Sequence, residues 1–462
     1  MQFETKTLRL LAESLANLEE GFASLPEAEV SLAGRVAMPE VMSEVAFRLR
    51  NNYPYFHPLY AGQMLKPPHP IARAAYALAT WINPNNHALD GGRASSVMER
   101  EAVAEIAAMF GWNDDQGHLG HLCGGGTMAN LEALWVAGQL RPGKMIVASE
   151  QAHYTHHRIT SVLRLPFAEA PSDTRGRMDA GALEKILEAG DVGCVVATVG
   201  TTGAGSLDPL PELLLLRRRY GFRLHVDAAY GGYYTLAANL DREARAVYDL
   251  VGQADSIVID PHKHGLQPYG CGCVLFRDPG VGAFYKHESP YTYFTSSDLH
   301  LGEISLECSR PGASAVALWA TQRLLPLVRG GEFAAMLESS REAALALYRR
   351  LAADPRWRVP FAPELDIVVW APRSPSARRT SELSQRIFDA AARHDLHLAL
   401  IRLPVRFFAS AEPADESSRG SDWGADQDTV LCLRSVLMKP EHRAWVERIA
   451  EILNQCAEEV MG

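Results

Sequence analysis

Residues 256–276 read S-I-V-I-D-P-H-K-H-G-L-Q-P-Y-G-C-G-C-V-L-F, two apolar runs joined by a turn that holds a lysine. Ser256–Ile259 and Cys273–Phe276 have the composition of buried strands. Lys263 between them is unusual, because an ammonium group that leaves water loses its hydration and needs a partner. A surface loop would avoid that cost. A functional lysine is the alternative, and a second stretch upstream favours it.

The second stretch is Leu224–Gly232, L-H-V-D-A-A-Y-G-G, a predicted strand that ends in Asp227 at a turn of small residues. An aspartate at the carboxyl end of a strand, followed 36 residues later by a lysine, is what a pyridoxal phosphate site requires. The lysine forms a Schiff base with the aldehyde, and the aspartate pairs with the pyridinium nitrogen. The protonated ring is then an electron sink for a carbanion at the substrate Cα. We therefore assign these roles to Lys263 and Asp227.

H-V-D-A-A-Y-G-G followed by D-P-H-K resembles the group II pyridoxal-phosphate-dependent amino acid decarboxylases, which include the aromatic amino acid, tyrosine and glutamate decarboxylases. The resemblance extends from about residue 53 to about residue 440. It implies an α/β protein of fold type I, the aspartate aminotransferase-like fold. Such a fold has a mostly parallel seven-stranded sheet in its large domain and a small α+β C-terminal domain. The implied reaction converts an L-amino acid, with aromatic ones among the candidates, to the amine and CO2.

The composition is that of an ordinary globular protein. The chain has 462 residues, of which 47% are hydrophobic and 22% charged, and its formal net charge is −10. An acidic chain without a dense basic run is not expected to bind nucleic acid. Cys271 and Cys273 lack the second pair of ligands that a zinc site needs, so no metal is expected. Without a signal-peptide pattern or an apolar run of transmembrane length, we expect a cytoplasmic protein with no membrane partner.

A glycine-rich turn, C-G-G-G-T at 123–127, opens a predicted helix at 128–137. Consecutive glycines let backbone N–H groups approach an anion closely, and the helix N-terminus adds a partial positive charge. A plain tight turn would have the same composition, but the family places its phosphate cradle here. The resemblance therefore assigns Gly125, Gly126 and Thr127 to the cofactor phosphate.

Strand and helix patterns alternate from residue 144 to residue 227, which indicates a mostly parallel sheet covered on both faces. Ligands bind beyond the carboxyl ends of strands in such sheets. His153, Thr202 and Asp227 all follow or end predicted strands, and we expect them to converge there.

The resemblance implies roles for the other site residues. His153, in E-Q-A-H, matches the histidine that stacks on the pyridine ring, whereas His156 and His157 match no family position and are expected on a helix surface. Arg434, in L-C-L-R-S, and Arg310, in S-R-P-G-A, are expected to contact the substrate; for Arg434 a surface ion pair is the alternative. The remaining implied cofactor contacts are Thr202, Ala229 and His262.

These motifs leave open which residue returns a proton to Cα. Animal and plant members of the family use a tyrosine in a mobile loop, and the corresponding loop, within residues 278–307, is shorter here. Tyr285, Tyr291, Tyr293 and His300 are the possible donors in this loop. Tyr291 is our candidate, slightly ahead of His300, and Lys263 or His153 would follow if none of the four acts. An aminotransferase or an aldehyde lyase would use the same aspartate and lysine, and S-R-P-G-A also resembles the sphingosine-phosphate lyases. A protein with a vestigial pocket is the non-enzymatic alternative.

The patterns divide the chain into an N-terminal helical arm (1–85), a large pyridoxal-phosphate-binding domain (86–330) and a small C-terminal domain (331–462). By resemblance, the aromatic stretch 53–60 lies near the substrate, although aromatic packing would explain it equally well. The family builds its sites from two subunits, so we expect a homodimer. In the small domain we expect helices at about 332–353, 379–395 and 440–459 and strands at about 365–370 and 430–435.

Overall fold

The computed structural model describes residues 5–26, 37–113, 117–286, 304–408, 423 and 426–462. The helices are α1 (Thr5–Glu20), α2 (Met38–Leu49), α3 (Pro70–Thr80), α4 (Arg93–Met109), α5 (Gly126–Leu140), α6 (Thr155–Leu163), α7 (Ala180–Glu188), α8 (Leu210–Tyr220), α9 (Arg242–Tyr248), α10 (Gly312–Leu324), α11 (Glu332–Ala353), α12 (Ala377–Arg393) and α13 (His442–Met461). The strands are β1 (Leu119–Cys123), β2 (Met145–Ser149), β3 (Phe167–Ala170), β4 (Val192–Thr198), β5 (Arg223–Asp227), β6 (Ser256–Ile259), β7 (Gly272–Phe276), β8 (Trp357–Arg358), β9 (Ile367–Pro372), β10 (Ala399–Pro404) and β11 (Thr429–Val436).

The larger sheet has seven strands in the order β1-β7-β6-β5-β4-β2-β3. The pairs from β3 to β6 are parallel, and β7 is antiparallel to both of its neighbours. This arrangement confirms the mostly parallel seven-stranded sheet of fold type I. The carboxyl ends of β2, β4, β5 and β6 therefore meet at one edge.

The central strands are buried because helices cover both faces of the sheet. All four residues of β6 and six of the seven in β4 are buried, as their unbroken apolar runs predict. Helix α5 packs against β6 and β7, which brings its glycine-rich N-terminus over the same edge of the sheet. The fold thus brings the glycine turn, the aspartate strand and the lysine turn together.

The second sheet is antiparallel, with the order β10-β11-β9-β8, and α11, α12 and α13 surround its core. The helices and the strands β9 and β11 lie within a few residues of their predicted positions. Strand β10 was not predicted. It is an edge strand with a half-exposed burial pattern, so its sequence lacks the fully apolar run that marks a central strand.

The backbone of Tyr60–Gly62 is bound to this second sheet. Ala61 N donates to His397 O at 2.9 Å, and Ala61 O accepts from Val436 N at 2.7 Å. The aromatic stretch before it therefore packs on the C-terminal sheet, and none of residues 53–60 is among the described residues that line the cavity discussed below.

The N-terminal helices have a different environment. No residue of α1 or α2 is buried, and Met42, Phe47 and Leu49 on α2 are each more than 60% exposed. Across the described ranges, no helix combines the length and the apolarity that crossing a bilayer requires.

Candidate active site

A cavity of about 600 Å³ lies beyond the carboxyl ends of β4, β5 and β6. On one side it is lined by the glycine turn, including Gly125, Gly126 and Thr127. The opposite side consists of residues that end or follow strands. Those assigned above to the cofactor are His153, Thr202, Asp227, Ala229, His262 and Lys263. The structure therefore brings all nine predicted cofactor residues to one cavity.

The glycine turn is shaped for the close approach of an anion. Gly125 has φ +143°, a conformation that side-chain-bearing residues rarely adopt. A Cβ on Gly126 would lie 2.7 Å from Asp260 Oδ2, and one on Gly125 would lie 3.2 Å from His262 Cε1. These close contacts leave no room for side chains, so the backbone N–H groups of the turn are accessible to an anion. The turn also lies at the N-terminus of the 15-residue helix α5, and both features suit a phosphate.

Lys263 lies in the turn between β6 and β7. Its Nζ is 2.9 Å from Asp260 Oδ2, and its side chain is 21% exposed, whereas Asp260 is buried. Its backbone N–H donates to Asp260 O at 2.9 Å, which closes the turn. His262 donates its N–H to Cys271 O at 3.1 Å. The partly exposed ammonium of Lys263 therefore has a buried carboxylate as its partner, and it faces the cavity.

Asp227, the last residue of β5, is held by three donors. Ala229 N lies 3.1 Å from Oδ1, while His156 Nε2 at 2.9 Å and Asn130 Nδ2 at 3.4 Å approach Oδ2. Burial alone would raise the pKa of Asp227. The hydrogen bond from His156 and the charge of Lys263 outweigh burial and hold the pKa below its usual range. This carboxylate is ionised at neutral pH, as pairing with a ring N–H requires.

A second layer of polar groups supports the aspartate. Asn130 Oδ1 lies 2.8 Å from His225 Nε2, and His225 Nδ1 lies 2.8 Å from Ser256 Oγ. Burial lowers the pKa of His225 to about 3, so its ring is neutral. A neutral ring that donates to Asn130 leaves the amide N–H₂ of Asn130 directed at Asp227, which fixes the carboxylate in the cavity wall.

The expectation that His156 lies on a helix surface is wrong, whereas His157 is exposed as expected. His156 is buried on α6 and contacts Asp227, which lies 71 residues further along the chain. The spacing of His156 from His153 does not reveal this contact, because His153 precedes α6, which begins at Thr155.

His153 itself is half-buried and lines the cavity. Its Nδ1 accepts a hydrogen bond from Thr155 N at 3.2 Å, which orients the ring. Burial lowers the pKa of His153, against the opposing charge of Asp227. A neutral, oriented imidazole at this place suits stacking on an aromatic ring.

The donor set, the glycine cradle and the paired lysine together fit pyridoxal phosphate, and comparison with known proteins agrees. A family model described as the pyridoxal-dependent decarboxylase conserved domain matches residues 135–372, about half of the chain. The chain belongs to this family. It is a pyridoxal-phosphate-dependent amino acid decarboxylase, and the matched span contains both Asp227 and Lys263.

Individual relatives agree with this assignment. The decarboxylase is 29% identical to an L-tyrosine decarboxylase of Enterococcus faecium, across 68% of this chain and 67% of that protein. It is 33% identical to a probable L-tyrosine/L-aspartate decarboxylase of Methanothrix thermoacetophila, across 55% of this chain and 63% of that one. The fold matches that of Oryza sativa TDC with PLP and tryptamine, with a TM-score of 0.78, 17% identity and full coverage of both chains.

The two arginines expected at the substrate are both buried and bonded to groups of the protein. Arg310 is buried, and its Nη1 lies 2.6 Å from both Glu99 Oε1 and Leu122 O. Arg434 is buried too, and its guanidinium donates to the carbonyl oxygens of Thr202, Gly203 and Gly62 at 2.7, 2.9 and 3.2 Å. Neither is among the described residues that line the cavity. Arg434 is buried, so the alternative of a surface ion pair is wrong. Its guanidinium bonds the backbone of Thr202, which lines the cavity, and contact of Arg310 or Arg434 with the substrate stays a prediction.

The candidate proton donors Tyr291 and His300 lie outside the described residues. Tyr285, the last tyrosine described before them, is buried, and its ring packs edge-on against Trp135 with centroids 5.0 Å apart. Tyr285 thus anchors the chain at the start of that segment.

Proposed function

We propose that this decarboxylase acts on an L-amino acid with a neutral side chain, and that aromatic amino acids are the first candidates. The support is the charge of the cavity. Lys263 is the one lysine or arginine among the described lining residues, and burial lowers the pKa of His153 and of His262. A side-chain carboxylate would find no guanidinium in that lining. The tyrosine-specific names among the relatives support the same substrate class.

The observation that carries the proposed site is that Asp227 and Lys263 line one cavity with the glycine turn. In our proposal Gly125, Gly126 and Thr127 hold the phosphate, and Lys263 binds the aldehyde covalently. The ring contacts are assigned to His153, Thr202, Asp227, Ala229 and His262. Bound pyridoxal phosphate supplies the electron sink for the electron pair that remains on Cα when CO2 leaves.

Asp227 keeps the electron sink effective by holding a proton on the ring nitrogen. The Asp227 carboxylate stays ionised because His156 and Asn130 donate hydrogen bonds to Oδ2. An ionised carboxylate stabilises the protonated form of the ring nitrogen. His156 is therefore a positioning residue, which acts through Asp227.

Asp260 is placed to manage the proton of Lys263. The amine must lose a proton before it is a nucleophile, and Asp260 Oδ2 lies 2.9 Å from Nζ. With the cofactor bound, Asp260 would accept this proton from Lys263 Nζ and return it when Lys263 is released. For the final protonation of Cα, Tyr291 stays the proposed donor, with His300 next.

Two measurements test this function. Borohydride reduction of the purified enzyme should attach the cofactor to a single peptide that contains Lys263, and Lys263→Ala should abolish turnover. A screen of amino acids should then give amine and CO2 in equal amounts, with tyrosine, tryptophan or phenylalanine ahead of aspartate, glutamate and 2,4-diaminobutyrate. Labelling of another lysine would refute the site, and a preference for an acidic substrate would refute the substrate class.

We also propose a homodimer with sites shared between subunits. The support is the unburied helix α2, whose exposed apolar side chains would otherwise face water. Sedimentation at assay concentration tests this, and a fully active monomer would contradict it.

A cytoplasmic location remains our proposal, supported by seven cysteines that form no disulfide among the described residues. The domain division at 85/86 and 330/331 is likewise proposed, supported by the two separate sheets.

A further inference from the structure

Glu307 lies in the active-site cavity, on a segment that none of the cofactor motifs includes. Its Oε2 accepts a hydrogen bond from Gly124 N at 2.9 Å. Its Oε1 lies 3.2 Å from the position that a Cβ on Gly124 would occupy. Both carboxylate oxygens therefore face Gly124, the first glycine of the glycine turn.

The position of Glu307 is fixed by its own segment. Ser305 Oγ accepts from Glu307 N and donates to Glu307 O, each at 3.1 Å. Three residues further on, Arg310 is held by its buried pair with Glu99. Within the described part of the chain, Glu307 takes part in no ion pair, and the nearby Arg310 pairs with Glu99 instead. A carboxyl group that forms no ion pair with the described residues is thus directed at a turn whose shape suits a phosphate.

We propose that Glu307 sets the affinity of this site for the cofactor phosphate by competing with it for the glycine turn. The inference rests on the proposed role of Gly125, Gly126 and Thr127. A phosphate monoester carries a charge of about −1.5 to −2 near neutral pH, and like charges in a partly dry site repel strongly. The carboxylate also occupies the N–H of Gly124. Cofactor binding must therefore move the Glu307 side chain or place two anions side by side.

The competition acts on the phosphate and not on the aldehyde or the ring. Removing the charge of Glu307 should therefore strengthen binding of pyridoxal phosphate and leave binding of unphosphorylated pyridoxal unchanged, since both form the same link to Lys263. Glu307→Gln is the suitable variant because the amide keeps the size of the side chain and an oxygen acceptor for Gly124 N.

The experiment titrates full-length apoenzyme with pyridoxal phosphate and, separately, with pyridoxal, following the absorbance of the lysine-bound cofactor. We expect Glu307→Gln and Glu307→Ala to bind pyridoxal phosphate at least about tenfold more tightly than the wild type, equivalent to about 1.4 kcal/mol. Pyridoxal should bind all three proteins equally. Glu188→Gln, which removes an exposed glutamate at the end of α7, is the control for the change in net charge and should match the wild type.

Several results would overturn the inference. Equal affinity of wild type and Glu307→Gln for pyridoxal phosphate would show that no competition exists. If Glu307→Ala bound pyridoxal phosphate more weakly and Glu307→Gln bound it as the wild type does, Glu307 would instead stabilise the glycine turn through its hydrogen bond to Gly124 N. A parallel gain for pyridoxal would place the effect at the ring instead of the phosphate. A wild-type protein that binds neither compound would refute the proposed function itself, a result separate from all of these.

Discussion

Replacing His156 with leucine should slow turnover by about 10- to 150-fold while the cofactor stays bound. His156 Nε2 lies 2.9 Å from Asp227 Oδ2, and both side chains are buried. A hydrogen bond to a charged group contributes about 1.5–3 kcal/mol, and each 1.36 kcal/mol of barrier changes the rate tenfold. Leucine removes the donor, so Asp227 holds the ring proton less firmly and the electron sink weakens.

The assay is CO2 release with the preferred amino acid over a range of pH. Because His156 helps to hold the pKa of Asp227 down, His156→Leu should also move the acidic limb of the rate profile to higher pH. His156→Gln offers an N–H donor and should restore part of the rate. His157→Leu is the matched control, since His157 is the exposed neighbour on the same helix.

The reasoning would be refuted if His156→Leu stayed within about twofold of His157→Leu and its acidic limb did not move. Bound cofactor should be measured in each variant, because loss of cofactor would lower the rate without any change at Asp227.

Three further predictions concern separate parts of the molecule. Asp227→Asn should keep the fold and some cofactor but lose more than about tenfold in kcat, or more than about 1.4 kcal/mol; a smaller loss would remove Asp227 as the ring partner. Arg310→Met should lower the free energy of unfolding by about 3–5 kcal/mol in denaturant titrations, because it leaves Glu99 buried without its partner. KM should not change, and a raised KM with normal stability would indicate that Arg310 contacts the substrate. Burial lowers the pKa of Lys439 to about 7, below its value in the unfolded chain, so the unfolded state binds more protons between pH 7 and 9. The free energy of unfolding should rise with pH across that window, by at most about 1.4 kcal/mol per unit from this residue, and Lys439→Met should flatten the rise; an unchanged slope would show that Lys439 is not its source.

The sequence predicts the site residues for which one local motif shows both the reactive side chain and its place at the end of a strand. Asp227 and Lys263 each follow an apolar strand, and the parallel order of those strands brings them to one edge. His156 and Asn130 belong to helices, and the partners they meet lie more than 70 residues away, so no local pattern reveals them. For Arg310, the sequence pattern shows that a guanidinium is present but does not show that Glu99 and Leu122 supply its acceptors.

The attachment of Tyr60–Gly62 to the second sheet has a consequence for the order in which the chain folds. Gly62 O accepts from Arg434, 372 residues away, and Tyr60 O accepts from Lys439, 379 residues away. A ribosome that adds about 5–20 residues per second needs roughly 20–75 s to synthesise that separation. Through this time the early segment has no sheet to join, and its aromatic side chains are open to chaperones and to other nascent chains. Tyr60–Gly62 can therefore complete these contacts only after residues 434–439 have been synthesised.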